Sequence, residues 1–165
     1  MATGRISARI EQLNESATLA IDATAKSMLA RGVDLISFAA GEPDFETPDF
    51  IVDAALEAAR DPRNHHYTAA AGLPELRELI AERTGVLSGL AVEPSQVIVT
   101  NGGKHAVYSA MMTLLDEGDE VLIPAPYWVT YPEVVRLAGG VPVAVPTDLS
   151  TAFKVTPELL ERYCT

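Results

Sequence analysis

The spacing of apolar side chains changes sharply near residue 103. Val97, Ile98 and Val99 form a continuous β-branched run, which predicts a buried strand. Ala106, Val107, Ala110, Met111, Leu114 and Leu115 then recur at helical spacing. Asn101, Gly102 and Gly103 lie between them, and such residues permit a sharp, closely approachable turn. The pattern predicts a strand that passes through a Gly-Gly turn into an amphipathic helix.

Upstream, Ile6, Ile10 and Leu13 are spaced among polar residues, as in an arm that needs a surface to lie on. Leu19, Ile21, Met28 and Leu29 predict a helix that Ser16 or Thr18 can cap and Gly32 can close. Leu35-Ile36-Ser37-Phe38 is a strand candidate that leads into a loop. Thr47-Pro48 reads as an N-cap followed by proline at the first helical position, with Ile51, Val52, Ala55, Leu56 and Ala59 on the helix. A polar, alanine-rich loop follows over residues 64–72. Pro74 opens a helix carrying Leu76, Leu79 and Ile80, with Gly85 as its expected end.

Downstream, Glu120-Val121-Leu122-Ile123 predicts a second strand and residues 141–145 a third, with Pro142 marking an edge or a strand start. Thr130-Tyr131-Pro132-Glu133 has capping-box spacing, and Thr156-Pro157 caps a last helix. Strands and helices alternate from residue 97 onward, which predicts an α/β fold with a parallel sheet. Ligands in such sheets sit beyond the C-terminal strand ends. That rule puts Asn101-Gly102-Gly103-Lys104 and Pro126-Tyr127-Trp128 on one rim.

Composition narrows the chemistry. The 165 residues carry a formal net charge of -11, which argues against a broad polyanion-binding surface. One phosphate held by backbone N–H groups remains compatible, because the first amides of a helix lack internal partners and carry the positive end of its dipole. The turn alone fits a phosphate site and a ligand-free connection equally well. The single cysteine, Cys164, excludes an intramolecular disulfide and fits a reducing cytoplasm. No apolar run has the length of a membrane span, and no apolar signal core opens the chain.

Gly-x-Gly-x-x-Gly is absent after residues 97–99, and Gly103-Lys104 is followed by His105 where a P-loop needs Ser or Thr. One cysteine and no His-x-x-x-His pair leave no metal site to propose. His65 and His66 read as solvent-exposed imidazoles in a loop, and His105 as a structural residue at a helix start. Trp128, beside prolines at a strand end, fits a packing role and a stacking plate equally well.

Together these motifs carry a resemblance. Val99-Thr100-Asn101-Gly102-Gly103-Lys104 and Pro124-Ala125-Pro126-Tyr127-Trp128 resemble those of class I aminotransferases, in particular bacterial aspartate aminotransferases of fold type I, which use pyridoxal 5′-phosphate. Ala40-Gly41-Glu42-Pro43-Asp44-Phe45 and Tyr67-Thr68-Ala69-Ala70-Ala71-Gly72-Leu73-Pro74-Glu75-Leu76-Arg77 match the same subgroup in order and spacing.

The resemblance implies the fold type I large domain, a three-layer α/β/α arrangement around a mostly parallel sheet, here truncated and preceded by an N-terminal arm. Residues 1–45 would be arm and small-domain segment, and residues 46–165 the first part of the large domain. Backbone N–H groups of Gly102, Gly103 and Lys104 would hold the cofactor phosphate. Trp128 would stack on the pyridine ring, and Gly41 would meet the substrate α-carboxylate through its backbone. Tyr67 would reach the cofactor phosphate of a neighbouring subunit in a homodimer, with amino acids and 2-oxo acids as substrates.

Transamination needs a lysine for the Schiff base and a carboxylate beside the pyridine nitrogen. The lysines here are Lys26, Lys104 and Lys154, and none lies in the family's Schiff-base motif. The chain is therefore expected to be an incomplete portion without catalytic residues of its own, inactive alone and left with open apolar faces. Other readings stay open: a non-catalytic binding or regulatory module, or another fold type I enzyme such as a C–S lyase.

Overall fold

The computed structural model describes residues 6–11, 13–14, 16–39, 41 and 43–165. Helices α1 (Ala8–Glu11), α2 (Ala17–Ala30), α3 (Asp49–Arg60), α4 (Pro74–Ser88) and α5 (Gly103–Leu114) precede strand β1 (Glu120–Ala125). Helix α6 (Thr130–Leu137), strand β2 (Val141–Pro146) and helix α7 (Pro157–Glu161) follow. No described helix is long and apolar enough to cross a membrane. The chain divides into two compact units, residues 1–41 with 104–165, and residues 42–103.

In the first unit β1 and β2 pair in parallel, from Glu120 opposite Val141 to Ala125 opposite Pro146. Parallel neighbours need a crossover connection, and α6 supplies it. Its apolar side packs on the sheet: Val135 and Val145 are completely buried, and Ile123 and Val134 nearly so. Gly140 makes the close return possible. A Cβ there would lie 3.0 Å from both the Asp119 carbonyl oxygen and Val135 Cγ1. Ser16 caps α2 by accepting the Leu19 N–H, and Thr156 caps α7 by accepting that of Leu159. Gly32, at φ +78, follows the end of α2.

In the second unit the guanidinium of Arg77 on α4 donates to the carbonyls of Val97 (2.9 Å) and Pro94 (2.6 Å). The Val99 N–H donates to the Ala71 carbonyl at 2.9 Å. Gly72, at φ +104, sits so close to Val99 that a Cβ would fall 2.6 Å from Val99 Cγ2. Ala81 and Val97 are buried here.

Several boundaries differ from the sequence expectation. Val97 is extended (φ -107, ψ 130), but residues 97–99 belong to no sheet among the described residues. β-branched side chains favour an extended backbone, whereas a strand also needs a hydrogen-bonded neighbour. Residues 35–38, a further strand candidate, are likewise unpaired, and the described sheet has two strands, 120–125 and 141–146, without the third expected at 97–99. Helix α3 starts one residue late, with Pro48 in the cap position at ψ 138 and Asp49 in the first turn, where its carboxylate suits the dipole. Helix α4 runs through Gly85 to Ser88, because the left-handed residue that ends it is Gly89, at φ +72. Thr130 makes no capping box: the Glu133 carboxylate that would reach back is held by Asn14 and Arg136. Residues 1–5 of the arm, and Ala40 and Glu42 of the loop motif, lie outside the described residues.

Candidate active site

The turn ahead of α5 is shaped by its own atoms. Thr100 Oγ1 donates to the Gly102 carbonyl at 3.0 Å, and the Gly102 N–H donates to the Thr100 carbonyl at 2.8 Å. Gly102 takes φ +81, a left-handed conformation that a side chain would strain. Nothing lies within 4 Å of where a Cβ would stand on Gly102 or Gly103. The backbone is thus open to a ligand on that side.

One sequence expectation changes here. Gly102 was expected to offer a free amide to phosphate, but its N–H is turned to Thr100. Helix α5 begins at Gly103, so the amides without a helical acceptor start there. Gly102 provides the bend, and the amides left without a helical acceptor begin at residue 103.

Tyr67 lies in the same unit with its ring fully exposed. Its loop is anchored where Ala71 and Gly72 meet Val99. Neighbouring His65 places Nε2 3.0 Å from the Ala59 carbonyl, closing α3. The sequence reading of His65 is an exposed imidazole, and it is exposed.

In the other unit, Trp128 follows β1 and the cis Ala125-Pro126 peptide. Its ring meets Tyr131 edge-on, with centroids 5.6 Å apart and planes at 88°. The Lys104 Nζ lies 5.2 Å from the Trp128 ring centroid, a cation–π placement. Trp128 stays 44% exposed. Trp128, Lys104, Tyr127, Ser16 and Thr18 help line a cavity of about 540 Å³.

Glu133 borders that cavity and is fully engaged. Its carboxylate accepts from Asn14 N and Nδ2, both at 3.1 Å, and pairs with Arg136 at 2.7 Å. The Arg136 charge is therefore balanced, whereas Lys104 has no carboxylate within ion-pair distance among the described residues. The cavity keeps a net positive side chain beside an aromatic plate. A larger cleft of about 650 Å³, lined by Ile21, Met28, Leu35, Ile36 and Phe38 among others, contains no titratable side chain and offers no comparable chemistry.

Sequence reasoning missed the Asn14–Glu133 contact, which joins positions 119 apart and has no local signature. It also passed over Arg77, although that residue closes the quoted Tyr67 motif. Gly41 is exposed, with open space around it.

Comparison with known proteins identifies the family. Residues 33–164 match the family model for aminotransferase class I and II. The chain belongs to that family, whose members depend on pyridoxal phosphate. It is similar to an aspartate aminotransferase of Streptomyces avermitilis, with 58% identity over 95% of this chain. The aspartate aminotransferase of Geobacillus stearothermophilus is 50% identical over 98% of it. The solved aspartate aminotransferase from Thermus thermophilus with maleate superposes at a TM-score of 0.89, with 44% identity over 98% of this chain.

The chain spans 38% of the Streptomyces avermitilis protein, 41% of the Geobacillus stearothermophilus protein and 42% of the Thermus thermophilus chain. A Streptomyces griseus relative, 57% identical, is matched over 73% of its length. The fold is accordingly the α/β fold of type I aminotransferases, in truncated form.

Proposed function

We propose that this chain carries the phosphate turn and the ring plate of an aspartate aminotransferase, and that the whole protein moves an amino group between aspartate and a 2-oxo acid. The observation that carries this reading is the open Gly102-Gly103 backbone directly ahead of α5. Residues 103 and 104 donate backbone N–H groups to the pyridoxal phosphate ester, with Gly102 allowing the approach. Trp128 covers the pyridine ring. Gly41 meets the α-carboxylate through its backbone, and Tyr67 serves the phosphate of a second copy in a cytoplasmic homodimer. When bound, the cofactor supplies an electron sink for the carbanion formed at the substrate α-carbon.

An acidic substrate suits the charge left uncompensated at Lys104, an exposed cation that helps line the same cavity as Trp128. Residues 1–45 fit an arm with a small-domain segment, and residues 46–165 the opening of the large domain.

A coupled transamination assay tests the functional half of the reading. The expected result is no turnover of aspartate by the 165-residue chain with pyridoxal phosphate added, together with binding of that cofactor that inorganic phosphate competes away. Turnover by the chain itself would overturn the assignment of the Schiff-base lysine to another part of the protein. Cofactor binding insensitive to phosphate would overturn the role of the turn.

A further inference from the structure

Residues 97–102 deliver the phosphate turn, yet among the described residues no sheet partner fixes them. What holds them is a set of contacts from α4 and the loop before it. Arg77 Nε donates to the Val97 carbonyl at 2.9 Å and Nη2 to the Pro94 carbonyl at 2.6 Å, both half-buried. The Val99 N–H donates to the Ala71 carbonyl at 2.9 Å, and Val99 packs on Gly72 where a Cβ would clash at 2.6 Å. No carboxylate pairs with Arg77 among the described residues. Its charge is directed at main-chain carbonyls, where hydrogen bonds from an ionised donor are stronger than neutral ones. A planar fork that reaches two carbonyls also fixes direction, which a single donor cannot do.

We propose that Arg77 is a positioning residue for the phosphate site: it fixes residues 97–102, and through them aims the Gly103 and Lys104 amides. The inference rests on the proposed function, because it assumes that this turn takes the cofactor phosphate. Arg77 touches no ligand atom in this scheme. It acts only through the main-chain carbonyls of Pro94 and Val97.

The test compares the affinities of the 165-residue chain for pyridoxal phosphate and for pyridoxal, which lacks the phosphate, by equilibrium dialysis. The unsubstituted chain is expected to prefer the phosphorylated form. Arg77→Met is expected to cut the affinity for pyridoxal phosphate about tenfold, while that for pyridoxal stays unchanged. Arg77→Lys keeps the charge but reaches one carbonyl, and is expected to lose a smaller part of the preference. It also carries the test if Arg77→Met does not fold.

Hydrogen exchange at the Val99 amide is expected to quicken in both variants. A preference undiminished in the folded variants, or an equal fall for both ligands, would overturn the positioning role. No preference in the unsubstituted chain would overturn the phosphate reading and this inference with it.

Discussion

Residues 97–99 and 120–125 begin from the same signal and end differently. Both contain β-branched apolar residues (Val97, Ile98 and Val99; Val121 and Ile123), and both precede a turn and a helix. The second run is a strand in register with β2, and its Ile123 is 6% exposed. The first run is extended without a ladder, and its Ile98 is 70% exposed. The β1–α6–β2 unit carries its own partner and its own cover, so its core closes within 27 residues, from Glu120 to Pro146. The 97–99 run is held by a side chain and a loop instead. Composition fixes whether a segment is extended, and a neighbouring strand decides whether it becomes sheet.

The contrast is broken most severely at its buried end. Val135→Asp places an unpaired charge where the exposed fraction is 0%, and is expected to cost more than about 4 kcal/mol and abolish cooperative unfolding by circular dichroism. Ile123→Ala is expected to cost about 2–5 kcal/mol in urea denaturation, whereas Ile98→Ala should stay within about 0.5 kcal/mol. Equal losses at the two isoleucines would show that residues 97–99 are as well packed in solution as β1. Gly140→Ala forces contacts near 3.0 Å on Val135 and Asp119, and is expected to cost about 1–3 kcal/mol.

Smaller effects sharpen the same picture. Thr156→Ala removes the α7 cap and is expected to cost about 1 kcal/mol. The Asp148 carboxyl is held below its ordinary value of 3.8, chiefly by the Ser150 hydroxyl. Glu158 is held below 4.5, by its own backbone N–H first and by Thr156 second. A depressed carboxylate contributes stability that is present above its unfolded pKa and lost as pH falls through its folded pKa. Acid melts should therefore show a small loss of stability below those ordinary values, reduced in Asp148→Asn. Both groups are exposed, so solvent screening keeps the effect slight.

The helices were largely legible because periodicity and capping residues are local. Ser16, Thr156 and Pro74 stand at the helix starts where their chemistry placed them. Gly85 and Thr130 misled for a physical reason: a helix ends where the backbone turns left-handed, and a capping carboxylate can be taken by a distant partner. Here those competitors were Gly89 and Asn14. Of the candidate site, the turn and the exposed indole were readable from composition and order. The Lys104 position over Trp128 was not, because side-chain direction depends on packing. The Gly102 amide was misjudged because a local bond to Thr100 uses it.

The apolar groups beyond the β1–α6–β2 core tell a complementary story. Phe38 and Ile36 stand 95% and 80% exposed, in a chain that spans about 40% of relatives such as the Thermus thermophilus enzyme. Surface of that kind promotes association. Phe38→Ser is expected to leave the melting temperature unchanged while lowering the sedimentation-detected aggregate, which separates an open face from a core position.

The account depends most on the open turn ahead of α5. Isothermal titration of the 165-residue chain with pyridoxal phosphate and then with pyridoxal tests it directly. The expected result is binding at least about tenfold tighter for the phosphorylated ligand, the worth of one or two charge-assisted hydrogen bonds. Equal affinity for the two would contradict the phosphate role of residues 102–104.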